Sequence, residues 1–249
     1  MKRAMLWMIA AVAAGVAAAC SPTPPEQAAG DAEATREWAR PPTIDGVVRA
    51  GPALTVSGVA DAGARVVLRG DDGAAFAATA DSRGRFEVRL PAPAGHLLLR
   101  PETQIGQDAA PSPDRLLILA AGEGPIVVLR PGGPTRRLDA APALGAIDSD
   151  GRMRLASGRT APGTEVVEVQ SGGETVQVAP DARGRWSVIL PPRDGAEPLR
   201  VAGREFVWPG EAAGSQDLVV ESLDSGWRIR WTGPGAARQT TWLPGRAAS

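Results

Sequence analysis

The sequence predicts an all-β protein: two tandem β-sandwich domains behind a leader and a flexible tether. Three observations predict it. First, the stretch VSGVADAGARVVLRGDDGAAFAATADSRGRFEVRLP, residues 56–91, aligns without a gap on ASGRTAPGTEVVEVQSGGETVQVAPDARGRWSVILP, residues 156–191. Gly58, Gly63, Gly73, Asp81, Gly84 and Pro91 return as Gly158, Gly163, Gly173, Asp181, Gly184 and Pro191. A spacing this long exceeds the roughly 20–50 residues of a solenoid repeat and suits a whole small domain. Second, Gly 30 and Pro 23 are spread along the chain, as many short strands joined by turns require. Third, RFEVRL alternates strictly. Phe86, Val88 and Leu90 point one way and Arg85, Glu87 and Arg89 the other, the pattern of a strand with one buried and one wet face.

The chain divides into four parts. Residues 1–19 read as an export leader, with Lys2 and Arg3 ahead of an uncharged apolar run, 6–19, that is too short to span a bilayer. The run ends Ala17-Ala18-Ala19-Cys20 and resembles a bacterial lipobox, although the place usually held by Leu is Ala17. The resemblance implies cleavage before Cys20, lipidation of its thiol and acylation of the new amine. The competing reading is ordinary cleavage after the A-x-A pattern Ala17-Ala18-Ala19, which leaves a free, oxidisable thiol on an exported chain. Cys20 is the only cysteine and stands where a lipid would go, which favours the anchor. Several acyl chains hold a protein on a membrane where one is marginal. Ser21 follows, and the absence of Asp there favours the periplasmic side of the outer membrane in a Gram-negative host.

Residues 20–43 are the tether, rich in Pro, Ala and charge and without strand alternation. Pro22, Pro24 and Pro25 keep its start extended.

Residues 44–140 form the first sandwich. Strands are expected near 47–49, 54–59, 64–69, 74–79, 85–90, 96–100 and 116–120, with a further candidate at 126–130. Asp81-Ser82-Arg83-Gly84 is the turn before the clearest strand. Asp81 accepts from nearby backbone N–H groups and Gly84 supplies a positive φ. The pattern S-G-x-A-x-x-G-x-x-V, followed by A-D-x-x-G-x-F/W-x-V-x-L-P, is similar to the Ig-like repeats of bacterial surface proteins and to carboxypeptidase-regulatory-like domains. Gly58, Gly63, Asp81, Gly84, Phe86 and Pro91 carry it here. The resemblance implies a small sandwich of about seven strands and is almost silent on function.

Residues 145–245 repeat the plan, with Trp186, Val188 and Leu190 in place of Phe86, Val88 and Leu90. One strand transfers badly. Val66 and Leu68 alternate in the first copy, but Val167 and Val169 do so in the second, which leaves a bulge or burial on both faces as alternatives. Beyond the motif, LLILAAGEGPIVVLRPGG from Leu116 lines up with LVVESLDSGWRIRWTGPG from Leu218, as if a whole domain were duplicated.

Candidate sites are few. Trp227, Trp231 and Trp242 belong to five tryptophans in the second copy, and Trp227, Ile229 and Trp231 share a face opposite Arg228 and Arg230. Core packing explains them; the sharper alternative is an aromatic platform for a sugar ring, with Trp242 the best candidate for exposure. Asp148-Ser149-Asp150-Gly151 resembles the start of a calcium loop, but Arg152 and Arg159 occupy places that need oxygen ligands, so a plain turn is the better reading. His96 is the only histidine, so neither a catalytic triad nor a multi-histidine metal site is available. No catalytic residue, metal ligand or cofactor is expected. Formal charge is −1, and the leader takes two bases with it, so nothing favours nucleic acid. The expected function is that of a lipid-anchored envelope protein, not an enzyme, which holds or recognises another envelope protein. The alternative is a peptidoglycan- or other glycan-binding module using the Trp-rich copy, and a third reading is an enzyme whose carboxylate pair only the fold would bring together.

Overall fold

The computed structural model describes residues 39–106, 108–213 and 217–245; the leader, Cys20 and most of the tether lie outside them. Strands dominate the described residues, and among these two short 3-10 turns, Ala120–Gly122 and Pro234–Ala236, interrupt them. The first half supplies β1 (Thr43–Ala50), β2 (Ala53–Val59), β3 (Arg65–Gly70), β4 (Ala75–Thr79), β5 (Arg85–Pro91), β6 (Leu97–Ile105), β7 (Asp108–Pro111), β8 (Arg115–Ile118), β9 (Ile126–Leu129) and β10 (Arg136–Arg137). The second supplies β11 (Ala146–Ser149), β12 (Arg154–Arg159), β13 (Val167–Ser171), β14 (Glu174–Val178), β15 (Arg185–Leu190), β16 (Glu197–Val201), β17 (Arg204–Trp208), β18 (Leu218–Leu223), β19 (Gly226–Thr232) and β20 (Arg238–Pro244).

These strands build four antiparallel sheets, paired as two sandwiches. In the first, β1-β2-β5 faces β4-β3-β6-β8-β9-β10, with β7 pinned on β6. In the second, β14-β13-β16-β17 faces β15-β12-β11-β20-β19-β18. The copies therefore share a three-plus-four plan: β1-β2-β5 against β4-β3-β6-β8, and β11-β12-β15 against β14-β13-β16-β17. The all-β reading and the strand positions in the repeat hold.

The expected echo between 116–133 and 218–235 does not. The strand that takes the place of β8, beside the sixth strand of its own sandwich, is β17. The β18-β19-β20 meander instead adds to the opposite edge, through β20 on β11. Similar apolar alternation produced the alignment without a shared place in the fold.

The badly transferring strand is explained by a register slide. Val66 pairs with Ala78 and Leu68 with Phe76, but Val167 pairs with Val178 and Val169 with Val176. So β13 runs one residue later against partners that stay put. The cause is the turn. The first copy closes over Asp71-Asp72-Gly73, with Gly70 N–H on Ala74 O and Asp72 capping Ala74 N–H. The second closes over Gly172-Gly173 alone, both at positive φ (59° and 84°). A Gly-Gly pair suits the two-residue hairpin turn, and shortening the loop by one residue moves the strand.

Three apolar cores result. Phe86, Val88 and Leu90 meet Leu68, Leu99 and Leu116 inside the first sandwich, and Trp186, Val169, Leu199 and Trp208 sit inside the second. The third lies between the sandwiches. Leu117, Leu119, Val127 and Leu129, on the far face of the β8–β9 hairpin, pack on Ala146, Ile229, Trp231 and Leu243. The hairpin is buried on both sides, with Leu116, Ile118, Ile126 and Val128 turned inward to the first core. That is why LLIL and IVVL are unbroken apolar runs rather than alternating ones.

Candidate functional site

The three tryptophans singled out from the sequence belong to this middle seam and its neighbouring core. Trp231 is 2% exposed and Trp242 only 1%. Trp242 packs edge-on against Trp208 in the second core, and Trp231 fills the seam. Trp227 is half-buried at the seam's margin, with the His96 ring standing edge-on to it at 5.6 Å. The expectation that Trp242 is the exposed ring is corrected: its strand is central, between β19 and β11, and its neighbours close over it. Neither Trp231 nor Trp242 offers a face to a sugar. Cys20, the proposed lipidation site, lies outside the described residues.

The seam also holds a buried polar chain. The Trp231 indole N–H donates to Thr241 Oγ1 (3.1 Å), whose hydroxyl donates to Asp148 Oδ1 (2.6 Å). Thr135, in the loop between β9 and β10, donates its hydroxyl to Asp148 Oδ1 (2.6 Å) and its backbone N–H to Oδ2 (2.7 Å). Burial pushes the Asp148 carboxyl above the ordinary aspartate range, and the hydrogen bonds offset it only in part. Asp148 thus serves the seam, while Asp150 makes the turn, accepting from Arg152 and Met153 N–H at 2.9 and 3.0 Å, with Ser149 Oγ accepting from Gly151 N–H. Those backbone bonds hold the Asp150 carboxyl below its usual range.

A second buried charge pair lies in the second sandwich. Arg154 is fully buried and bridges to Glu197 (2.5 Å), with its Nε on Pro191 O (2.8 Å). The matching places of the first sandwich hold Leu54 and Leu97, both packed in the apolar core. One copy satisfies with an ion pair what the other satisfies with two leucines.

A cleft of about 720 Å³ opens where the connector between the sandwiches passes β12 and β15. Arg130, Arg136, Arg137, Arg159 and Arg185 line it, against Asp139 and Asp181. Three of the arginines are ion-paired. Arg137 pairs with Asp139 (3.0 Å) and donates to Pro244 O, Arg185 pairs with Asp181 (2.8 Å), and Arg130 reaches Asp114 (3.4 Å). The Arg185 backbone N–H, then its guanidinium, hold Asp181 down to about 2. Arg136 donates to Ile44 O, but its Nε is buried without a hydrogen-bond partner. Burial lowers its guanidinium below the usual arginine range, and Arg130 and Arg185 act in the same direction, while Asp45 and Asp114 oppose them. Among the described residues the exposed Arg159 guanidinium has no ion-pair or hydrogen-bond partner. Trp186 contributes a buried indole N–H, also without a partner, lying over Gly158 of the same lining. Nothing in the sequence points to this cleft, because its arginines are spread from 130 to 185 and only the fold gathers them. Among the described residues no three His, Cys, Asp or Glu side chains converge as a metal site would need.

No protein-family model matches the chain, and no curated protein matches it. Among solved structures, one described as a Ca2+-stabilized adhesin that helps an Antarctic bacterium reach out and bind ice is similar at 15% identity and a TM-score of 0.24, over 83% of this chain and 48% of that one. The chain thus spans about half the length of the solved chain it matches.

Proposed function

We propose that this chain is a lipid-anchored, non-catalytic module of the bacterial cell envelope that holds or presents a partner on a stiff two-sandwich body. The observation that carries the reading is the seam. Sandwiches joined only by a short polar linker move independently, whereas an apolar core between them resists it. A body that keeps its length suits spacing and adhesion better than turnover. The chemistry-bearing side chains support the same view. The single histidine accepts a bond from Ala120 N–H at 3.0 Å and packs on Trp227, and Asp148 and Glu197 are taken up by internal partners. The leader and Cys20 support attachment by acyl chains, with the periplasmic side of an outer membrane as the proposed location. The loops at the sandwich ends are the proposed contact surface for another envelope protein, since rigid scaffolds with free loops suit recognition.

The test has two arms. Metabolic labelling with a palmitate analogue should mark the wild-type chain and not Cys20→Ala, and the variant should leave the membrane fraction. Equal labelling of both removes the anchor. Photo-crosslinkers placed in the 92–95 and 161–164 loops should trap a discrete envelope protein in cells; a chain that crosslinks to nothing at either place speaks against partner binding.

A further inference from the structure

We propose that the arginine-lined cleft is a binding site for a small organic anion, a sugar-sized molecule that carries a carboxylate or phosphate. The cleft's volume of about 720 Å³ lies within the roughly 300–1,000 Å³ usual for small-molecule sites. Its charge is unbalanced, with five arginines against two aspartates in the lining. Both aspartates are already bound, Asp139 by Arg137 and Asp181 by Arg185.

What remains is an unfilled set of donors. Arg136 keeps a buried Nε–H without an acceptor, and Trp186, 4% exposed, keeps an indole N–H without one. A buried donor left unpaired is costly, and both of these belong to side chains that line the cleft. Arginine remains protonated at any physiological pH, so Arg130 and Arg185 act against the Arg136 charge across the cleft. An anion relieves this, and guanidinium geometry suits the two oxygens of a carboxylate or phosphate. Arg159, exposed and unpaired at the mouth, adds a steering charge. Val178, Pro142 and Pro180 give the cleft an apolar wall for the ligand's carbon frame. The inference does not rest on the proposed envelope role and stands or falls separately.

Titration calorimetry on the purified full chain, in detergent and a phosphate-free buffer at pH 7, tests it with glucose 6-phosphate, glucuronate and uncharged glucose. At least one of the two anions should bind with a Kd below about 1 mM, while glucose does not bind. Raising the salt to about 0.5 M should weaken that binding. Arg159→Glu lies on the surface and should raise the Kd at least about tenfold without moving the melting temperature; Arg136→Gln should also raise the Kd, read on protein that the melting curve shows to be folded, because its guanidinium also holds Ile44 O. The proposal is overturned if both anions bind no better than glucose, or if Arg159→Glu leaves the affinity where it was.

Discussion

Single residues show how little freedom the repeat has. Gly84 sits at φ +76°, and a Cβ there would come within 2.4 Å of the Ala60 carbonyl oxygen; Gly184 repeats both constraints against Thr160 O at 2.7 Å. Gly84→Val adds strain at the left-handed backbone to a clash with main chain that has nowhere to move. It should lower the denaturant midpoint of unfolding, and a neutral outcome would remove the conformational argument for this turn. Asp148 makes a different kind of demand. Three donors meet its carboxylate, so Asp148→Asn, with one acceptor oxygen, should cost about 1–3 kcal/mol. Its pH signature has a definite sign. Burial raises the folded-state pKa above the unfolded one, so Asp148's share of stability is complete below the ordinary aspartate range and is lost as pH rises through the raised value. Urea titrations between pH 3.5 and 8 should show the gap between wild type and Asp148→Asn widest in acid and narrowing upward; a gap that grows with pH would contradict the burial. The sequence reads Asp148 as a turn residue, because its partners Thr135 and Thr241 are brought to it only by the fold.

Whole elements show what alternation reveals and where it stops. Phe86, Val88 and Leu90 announce β5, and cross-strand pairing of Phe86 with Gly58 shows why the glycine recurs: a Cβ at Gly58 would strike the ring at 2.7 Å and the Thr43 carbonyl at 2.0 Å. Trp186 repeats the arrangement over Gly158. The stripe of Trp227, Ile229 and Trp231 is equally legible as a face, but alternation does not say what covers it, and the cover is a hairpin about a hundred residues away. The slide of β13 was written in Gly172-Gly173, though its consequence needs the partner strands to be seen. The interchange of Leu54 and Leu97 with Arg154 and Glu197 gives a test at this scale. Removing one charge, as in Glu197→Leu, strands a buried guanidinium and should cost about 3–5 kcal/mol. The double variant Arg154→Leu/Glu197→Leu restores the pairing that the first sandwich already uses and should recover most of that loss. A double variant as unstable as the single one would mean that the second sandwich needs the ion pair itself.

At the scale of the whole molecule, the four sheets and three apolar cores form one unit from Ala39 onward. The seam gives each sandwich a stake in the other. Leu117 and Leu129 are fully buried there, yet neither reaches the interior of its own sandwich. Leu129→Ala should therefore cost about 2–5 kcal/mol and loosen the coupling, while both sandwich interiors stay packed. Differential scanning calorimetry addresses the coupling itself, because a calorimetric enthalpy equal to the van't Hoff enthalpy marks a single cooperative unit. The wild-type chain should melt in one such transition, and Leu129→Ala combined with Trp231→Ala should split it into two. Two resolved transitions in the wild type, unchanged by the seam substitutions, would contradict a body built as one.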